Sequence, residues 1–192
     1  MKVLGIYGSP RKGGNSDLLL DQALEGARQA GAETKSVYVR GLKLSGCLEC
    51  GGCDKTGVCV IDDDMAQVYP LIEEAEAIIL AVPIFFYNTP AQAKALIDRS
   101  QACWTKRLLS KGRDRSKYEG GKGYLIAVGA TKGQNLFQGV ELTAKYFYDA
   151  MDMSYQGGLT HRGIEGKGSV NDHPELLQKA LELGCTIASG RR

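Results

Sequence analysis

Lys2-Val-Leu-Gly-Ile-Tyr-Gly-Ser-Pro-Arg-Lys-Gly-Gly-Asn-Ser16 is the stretch on which the fold turns. Lys2 to Tyr7 is a short apolar run that stops at Gly8, as a buried strand does. From Ser16 to Ala30 the apolar residues Leu19, Leu20, Ala23, Leu24 and Ala27 recur at helical spacing and close at Gly31. A strand, a glycine-rich loop and a helix in that order open an α/β unit, with the loop at the carboxyl end of the strand where such sheets bind ligands. The N-terminus of the helix offers unpaired N–H groups and a partial positive charge, which suits a phosphate. Ser9, Asn15 and Ser16 add short donors, Arg11 adds charge, and the glycines let the backbone approach closely. The Gly-Lys-Ser/Thr ending of a Walker loop is missing, and so is G-x-G-x-x-G. A solvated turn with an Asn or Ser cap is the plainer alternative, and the position after the first strand favours phosphate.

Outward from this unit the pattern repeats. Thr34 to Val39 alternates as a second strand, and residues 40 to 64 lack a period, which predicts a long loop. Met65 to Ala75 reads as a helix, and Ala77 to Val82 is the unbroken apolar run of a strand covered on both faces. Ala91 to about Leu109 predicts one long helix, and Ser110 to Gly121 a solvent-exposed connection. Gly123 to Val128 is a fourth strand, Val140 to Met151 a helix, and Ser154 to Leu159 a fifth strand. A glycine-rich loop and a closing helix near Pro174 to Ser189 complete the chain. Five alternations imply right-handed crossovers and a doubly wound five-stranded parallel sheet with helices on both faces, a three-layer α/β sandwich. No repeat, low-complexity stretch or linker divides residues 1–192, so a single domain is expected.

Composition narrows the partners. Of 192 residues, 43% are hydrophobic and 24% charged, an ordinary globular balance. The formal net charge of +2 gives no electrostatic reason to expect nucleic acid or an anionic membrane. The first apolar run is too short for a signal-peptide core, and no segment approaches the roughly 20 apolar residues of a membrane span. A cytoplasmic location is the expectation. The chain has six cysteines, and since a reducing compartment disfavours structural disulfides, clustered thiols among them are better read as metal ligands or redox groups.

Four of the six fall in Cys47-x2-Cys50-x2-Cys53-x5-Cys59, interleaved with Gly46, Gly51, Gly52 and Gly57. An iron–sulfur cube needs four soft ligands around one small volume, and a glycine-rich loop can wrap it. Zinc could use the same sulfurs, although structural zinc sites usually set two separated Cys pairs. The acidic Asp62, Asp63 and Asp64 that follow are expected to cap the next helix, with no redox role. Cys103 and Cys185 read as small buried hydrophobes. His161 and His173 have no Ser or Cys partner at motif spacing, so a hydrolytic triad is poorly supported. Trp104 reads as packing, and the Lys106 to Lys117 charge run as a solvated surface that could dock an acidic electron carrier.

The loop after the third strand, Pro83-Ile-Phe-Phe-Tyr-Asn-Thr-Pro90, puts three aromatics in a row. They could border a flat aromatic ligand, with Asn88 and Thr89 supplying hydrogen bonds, or simply pack on the sheet edge. Gly129-Ala-Thr-Lys-Gly-Gln-Asn135 is a third polar loop at the same edge.

Together, Gly8 to Ser16, Pro83 to Ala91 and Lys94-Ala-Leu-Ile-Asp-Arg99 resemble the flavodoxin-like NADPH-dependent FMN reductase superfamily, and the cysteine loop resembles its iron–sulfur flavoprotein branch. The resemblance runs over nearly the whole chain and implies a flavodoxin-like fold with FMN at the strand ends. By that likeness Ser9, Arg11, Asn15 and Ser16 would hold the phosphate. Pro83, Ile84, Phe85, Phe86 and Asn88 would border the isoalloxazine, with Ala130 and Thr131 as a third contact. Cys47, Cys50, Cys53 and Cys59 would bind a [4Fe–4S] cluster. The implied activity passes electrons from a ferredoxin-like donor through cluster and FMN to oxygen, peroxide or a quinone, in a homodimer or homotetramer, with no acid–base residue assigned. Two alternatives stay open: an NAD(P)H-dependent FMN or quinone reductase whose cysteine loop is not a working cluster, and a zinc-stapled binding module.

Overall fold

The computed structural model describes residues 1–114 and 116–190. Its centre is strand β3 (Ala77–Pro83), whose side chains alternate between the two faces of the sheet. Ala77, Ile79 and Ala81 join one buried cluster, while Ile78, Leu80 and Val82 join the other. Strands β1 (Lys2–Tyr7), β2 (Glu33–Tyr38), β4 (Gly121–Gly129) and β5 (Met153–Arg162) complete a sheet of order β2-β1-β3-β4-β5, every neighbouring pair parallel. That strand order is the flavodoxin-like form of the doubly wound sheet. The fold expected from the sequence is the one observed.

Helices α1 (Asn15–Gln29) and α6 (Pro174–Ser189) cover one face, and α2 (Met65–Glu74), α3 (Ala91–Arg99) and α5 (Gln138–Ala150) the other. The α1–α6 contact is unusually close. A Cβ on Gly26 would fall 1.9 Å from the Leu181 carbonyl oxygen, and one on Gly184 would fall 1.7 Å from that of Ala23. Only glycine lets the two backbones meet there. The Cys185 thiol donates to the Gly26 carbonyl at 3.2 Å across the same contact, so this half-buried cysteine is packing, as expected. On the other face the buried Tyr148 reaches between β3 and β4. Its hydroxyl donates to the Tyr124 carbonyl at 2.6 Å and accepts the Leu80 N–H at 3.1 Å, beside a register shift in β4.

The predicted single helix from Ala91 to about Leu109 is two: α3 ends at Arg99 and α4 (Gln101–Lys111) begins after Ser100. The Ser100 N–H bonds the Ile97 carbonyl three residues back, and its hydroxyl donates to that same oxygen. This tighter turn diverts the backbone ladder and redirects the chain. The charge run is not uniformly solvated either. Arg107 is buried, donating through Nε to Asp152 at 3.1 Å and facing Asp149 at 3.5 Å, while Lys111 folds back onto Asp152 and Glu119. β5 is longer than the predicted Ser154 to Leu159 stretch.

Candidate functional site

The carboxyl ends of β1, β3 and β4 converge on a cavity of about 270 Å³. Ser9, Arg11, Asn15 and Ser16 line it from the loop after β1. Pro83, Ile84 and Phe85 line it from the end of β3, and Ala130 from the end of β4. Ser16 is the informative member: its hydroxyl is fully buried and has no hydrogen-bond partner. A buried hydroxyl left without a partner in a cavity wall is a donor waiting for a ligand, since such a group otherwise costs stability. Together with the α1 N-terminus and Arg11, it gives the wall the chemistry of an anion site.

Other expected contacts carry different tasks. Asn15 lines the cavity, but its side-chain amide is committed to the loop after β5: Nδ2 donates to the Gly166 carbonyl at 2.8 Å and Oδ1 accepts the Val170 N–H at 3.2 Å. Ser9 Oγ accepts the Arg11 N–H at 3.2 Å and shapes the turn. Asn88 Oδ1 accepts from the Thr89 N–H and from the Thr143 hydroxyl, so it braces its own turn against α5. Phe86 points fully into solvent, and neither it, Asn88 nor Thr131 lines the cavity. Ile164 and Glu165, just past β5, do line it, and no sequence motif marked them.

The aromatic stretch forms a two-residue hairpin turn. Phe85 and Asn88 exchange both backbone hydrogen bonds at 2.9 Å, which puts Phe86 (φ 47°) and Tyr87 (φ 63°) in the left-handed region. Asn and Gly usually fill such positions, and bulky residues there are strained.

Under the anion wall lies a charge network. Asp17, almost fully buried in the first turn of α1, accepts the Gly13 N–H at 3.0 Å and pairs with Arg40 at 2.9 Å. Burial pushes its carboxyl above the ordinary range, while the Arg40 charge and the Gly13 N–H pull it back down. Arg40 also donates to the Ser9 carbonyl and lies over the Tyr38 ring, which stacks on Tyr7. This ties the end of β2, where the cysteine loop begins, to the anion loop.

The second cavity, about 330 Å³, is lined by all four clustered cysteines. Cys47 and Cys50 are exposed, Cys53 and Cys59 half-buried. Glu49 (φ 51°), Gly51 (φ 71°) and Gly57 (φ 69°) turn the loop back on itself through left-handed backbone. A Cβ on Gly57 would lie 2.7 Å from Lys106 Cα, so the loop docks directly on α4, and the Cys53 thiol lies 3.7 Å from the Thr105 hydroxyl.

The acidic run closes the neck of this loop rather than simply capping α2. Asp64 accepts the Lys43 N–H at 2.6 Å, and Asp63 accepts the Ser45 N–H at 3.3 Å and the Met65 N–H at 3.0 Å. Arg99, buried at the end of α3, donates through Nη1 to Asp63 at 2.6 Å and to the Ser45 carbonyl at 3.2 Å. Burial pushes the Cys59 thiol up, but the Ile61 N–H and the Arg99 charge outweigh it and leave the thiol below its ordinary value. Cys103, in α4, is by contrast pushed up to about 12 by burial and the neighbouring Glu73.

Among the described residues no three His, Cys, Asp or Glu side chains are grouped so as to hold a single metal ion. All four thiols line one cavity, and four soft thiolate ligands are the donor set an iron–sulfur cluster takes. No described helix is long and apolar enough to cross a membrane.

Residues 1–158 match the family described as NADPH-dependent FMN reductase. The chain is 35% identical to an iron–sulfur flavoprotein of Methanosarcina thermophila, over 95% of this chain and 96% of that protein. It is 44% identical to an iron–sulfur flavoprotein of Archaeoglobus fulgidus, over 98% of this chain and 79% of that one. Among solved structures, an NAD(P)H:quinone oxidoreductase from Methanothermobacter marburgensis superposes with a TM-score of 0.72 at 14% identity, covering 97% of this chain and 95% of that one, a likeness of fold.

Proposed function

The chain belongs to the NADPH-dependent FMN reductase family and, within it, to the iron–sulfur flavoproteins, and from that premise we propose that it is a single-domain cytoplasmic electron-transfer enzyme using FMN and a [4Fe–4S] cluster. The observation that carries this reading is the lining of one cavity by all four clustered thiols. The unpartnered Ser16 hydroxyl in the other cavity supports a phosphate ligand there, as FMN requires. When bound, the cluster supplies single electrons and the flavin one or two, so the pair links one- and two-electron chemistry.

The chain's own residues bind and orient. Ser16, Arg11 and the α1 N-terminus would hold the phosphate, with Ser9 and Asn15 shaping the loop around it. Pro83, Ile84, Phe85 and Ala130 would flank the ring system, and Cys47, Cys50, Cys53 and Cys59 would hold the cluster. Helix α3 starts beside the Pro83–Thr89 loop and ends at the cysteine cavity. Its nine residues place these regions on the order of 13 Å apart along the helix axis. The exposure of Cys47 and Cys50 suits exchange of electrons with a protein carrier at the surface. A ferredoxin-like donor, an acceptor such as oxygen, peroxide or a quinone, and assembly into a homodimer or homotetramer complete the reading.

Anaerobic single-turnover spectroscopy tests it. Reduced ferredoxin should bleach the bound flavin much faster in the wild type than in Cys50→Ala, while NADPH alone should reduce it slowly. Rapid bleaching by NADPH, unaffected by Cys50→Ala, would establish the direct NAD(P)H reductase instead.

A further inference from the structure

Arg99 is an unusual residue in this fold. It is 1% exposed, and two of its three guanidinium nitrogens, Nε and Nη2, are buried with no hydrogen-bond partner. The third, Nη1, donates to both Asp63 and the Ser45 carbonyl. The Arg99 carbonyl in turn accepts the Tyr69 hydroxyl at 2.9 Å, which fixes the backbone that presents the side chain. Ser45 and Asp63 flank the cysteine stretch on either side, so Nη1 grips the neck of the loop, and Arg99 is also one of the residues lining the cavity inside it.

Charge gives that placement a consequence. The cavity wall carries four cysteines and the acidic Glu49 and Asp54, and Arg99 is its only cationic side chain among the described residues. A buried guanidinium keeps its proton under all ordinary conditions, and leaving its donors unmatched is costly. A cluster held by four thiolates is anionic, and reduction makes it more so. Hydrogen bonds to its sulfurs and nearby positive charge therefore favour the reduced form.

We propose that Arg99 is a positioning residue that directs its two free guanidinium donors at the cluster sulfurs and raises the cluster's reduction potential. This rests on the cluster reading above.

The test is an EPR-monitored redox titration of anaerobically purified holoprotein carrying Arg99→Gln or Arg99→Lys, with iron, FMN content and thermal unfolding measured on the same samples. At the wild-type midpoint, Arg99→Gln should lower the ratio of reduced to oxidised cluster on the order of tenfold, or about 59 mV for a one-electron couple. A fall smaller than threefold in a loaded Arg99→Gln protein would overturn the proposal. If Arg99→Gln takes up no iron, Arg99→Lys decides, because it keeps the charge. Loading with a ratio within threefold of wild type supports the proposal. A larger shift, or no iron in an Arg99→Lys chain that still binds FMN and unfolds cooperatively, reduces Arg99 to a structural brace and overturns it. Absence of iron from the wild type itself would defeat the cluster reading, and is read separately from either variant.

Discussion

Arg99 Nη1 lies 2.6 Å from Asp63 Oδ2, joining the last residue of α3 to the far end of the cysteine loop. The hydrogen bond from Arg99 holds the Asp63 carboxyl below the usual carboxylate range. A lowered folded-state value means the stabilisation is complete above the unfolded value, near 3.9, and is lost as pH falls through the folded one. Asp63→Asn should therefore cost about 1–3 kcal/mol at pH 7, reduced from a fully buried pair by the carboxylate's partial exposure. Denaturant melts of both proteins between pH 7 and pH 3 should show the difference shrinking towards the acid end. A gap independent of pH would show that the charge of Asp63 contributes nothing.

Ser16→Ala should separate binding from stability. Removing a hydroxyl that bonds a phosphate should weaken FMN by roughly tenfold to a hundredfold, the 1.5–3 kcal/mol of a hydrogen bond to a charged group. The flavin-free protein should be no less stable, because the hydroxyl has no partner within the chain. Fluorescence titration of FMN and a thermal melt measure the two effects. Equal FMN affinity in the variant would remove Ser16 from the phosphate site.

Phe86→Asn should raise thermal stability by about 0.5–1 kcal/mol. The ring is fully solvent-exposed, so little packing is lost, and Asn tolerates the left-handed backbone that Phe86 is forced to adopt. A lower melting temperature would mean that the ring packs against something in solution.

Gly184→Ala should destabilise by at least about 1–3 kcal/mol, because the added methyl meets the Ala23 carbonyl and α6 must move off α1. Chemical denaturation measures it. A neutral result would show that the helices separate at little cost.

These residues also mark where sequence was legible. The alternating faces of β3 and the strand–loop–helix at Lys2–Ser16 were readable because burial imposes a period of two on strands and 3.6 on helices. The cysteine spacing was readable because ligand chemistry restricts residue type. Ser100 was not, since a helical apolar pattern continues through it while a local hydrogen bond breaks the backbone ladder. Arg107 reads as surface charge because its acidic partner, Asp152, lies far off in sequence, and Arg99 stands out only as part of the Lys94–Arg99 stretch because Asp63 is likewise remote from it. Asn15 looked like a free donor for the same reason: the loop that occupies it is about 150 residues away. Gly26 and Gly184 carry no signal in either helix alone, because each is explained only by the other helix.

Iron, acid-labile sulfide and FMN measured per chain on anaerobically purified protein test the central claim most directly. Four thiols around one cavity and an anion loop at the sheet edge predict about four iron, about four sulfide and about one FMN. Stoichiometric zinc with no sulfide and no flavin absorbance would contradict it.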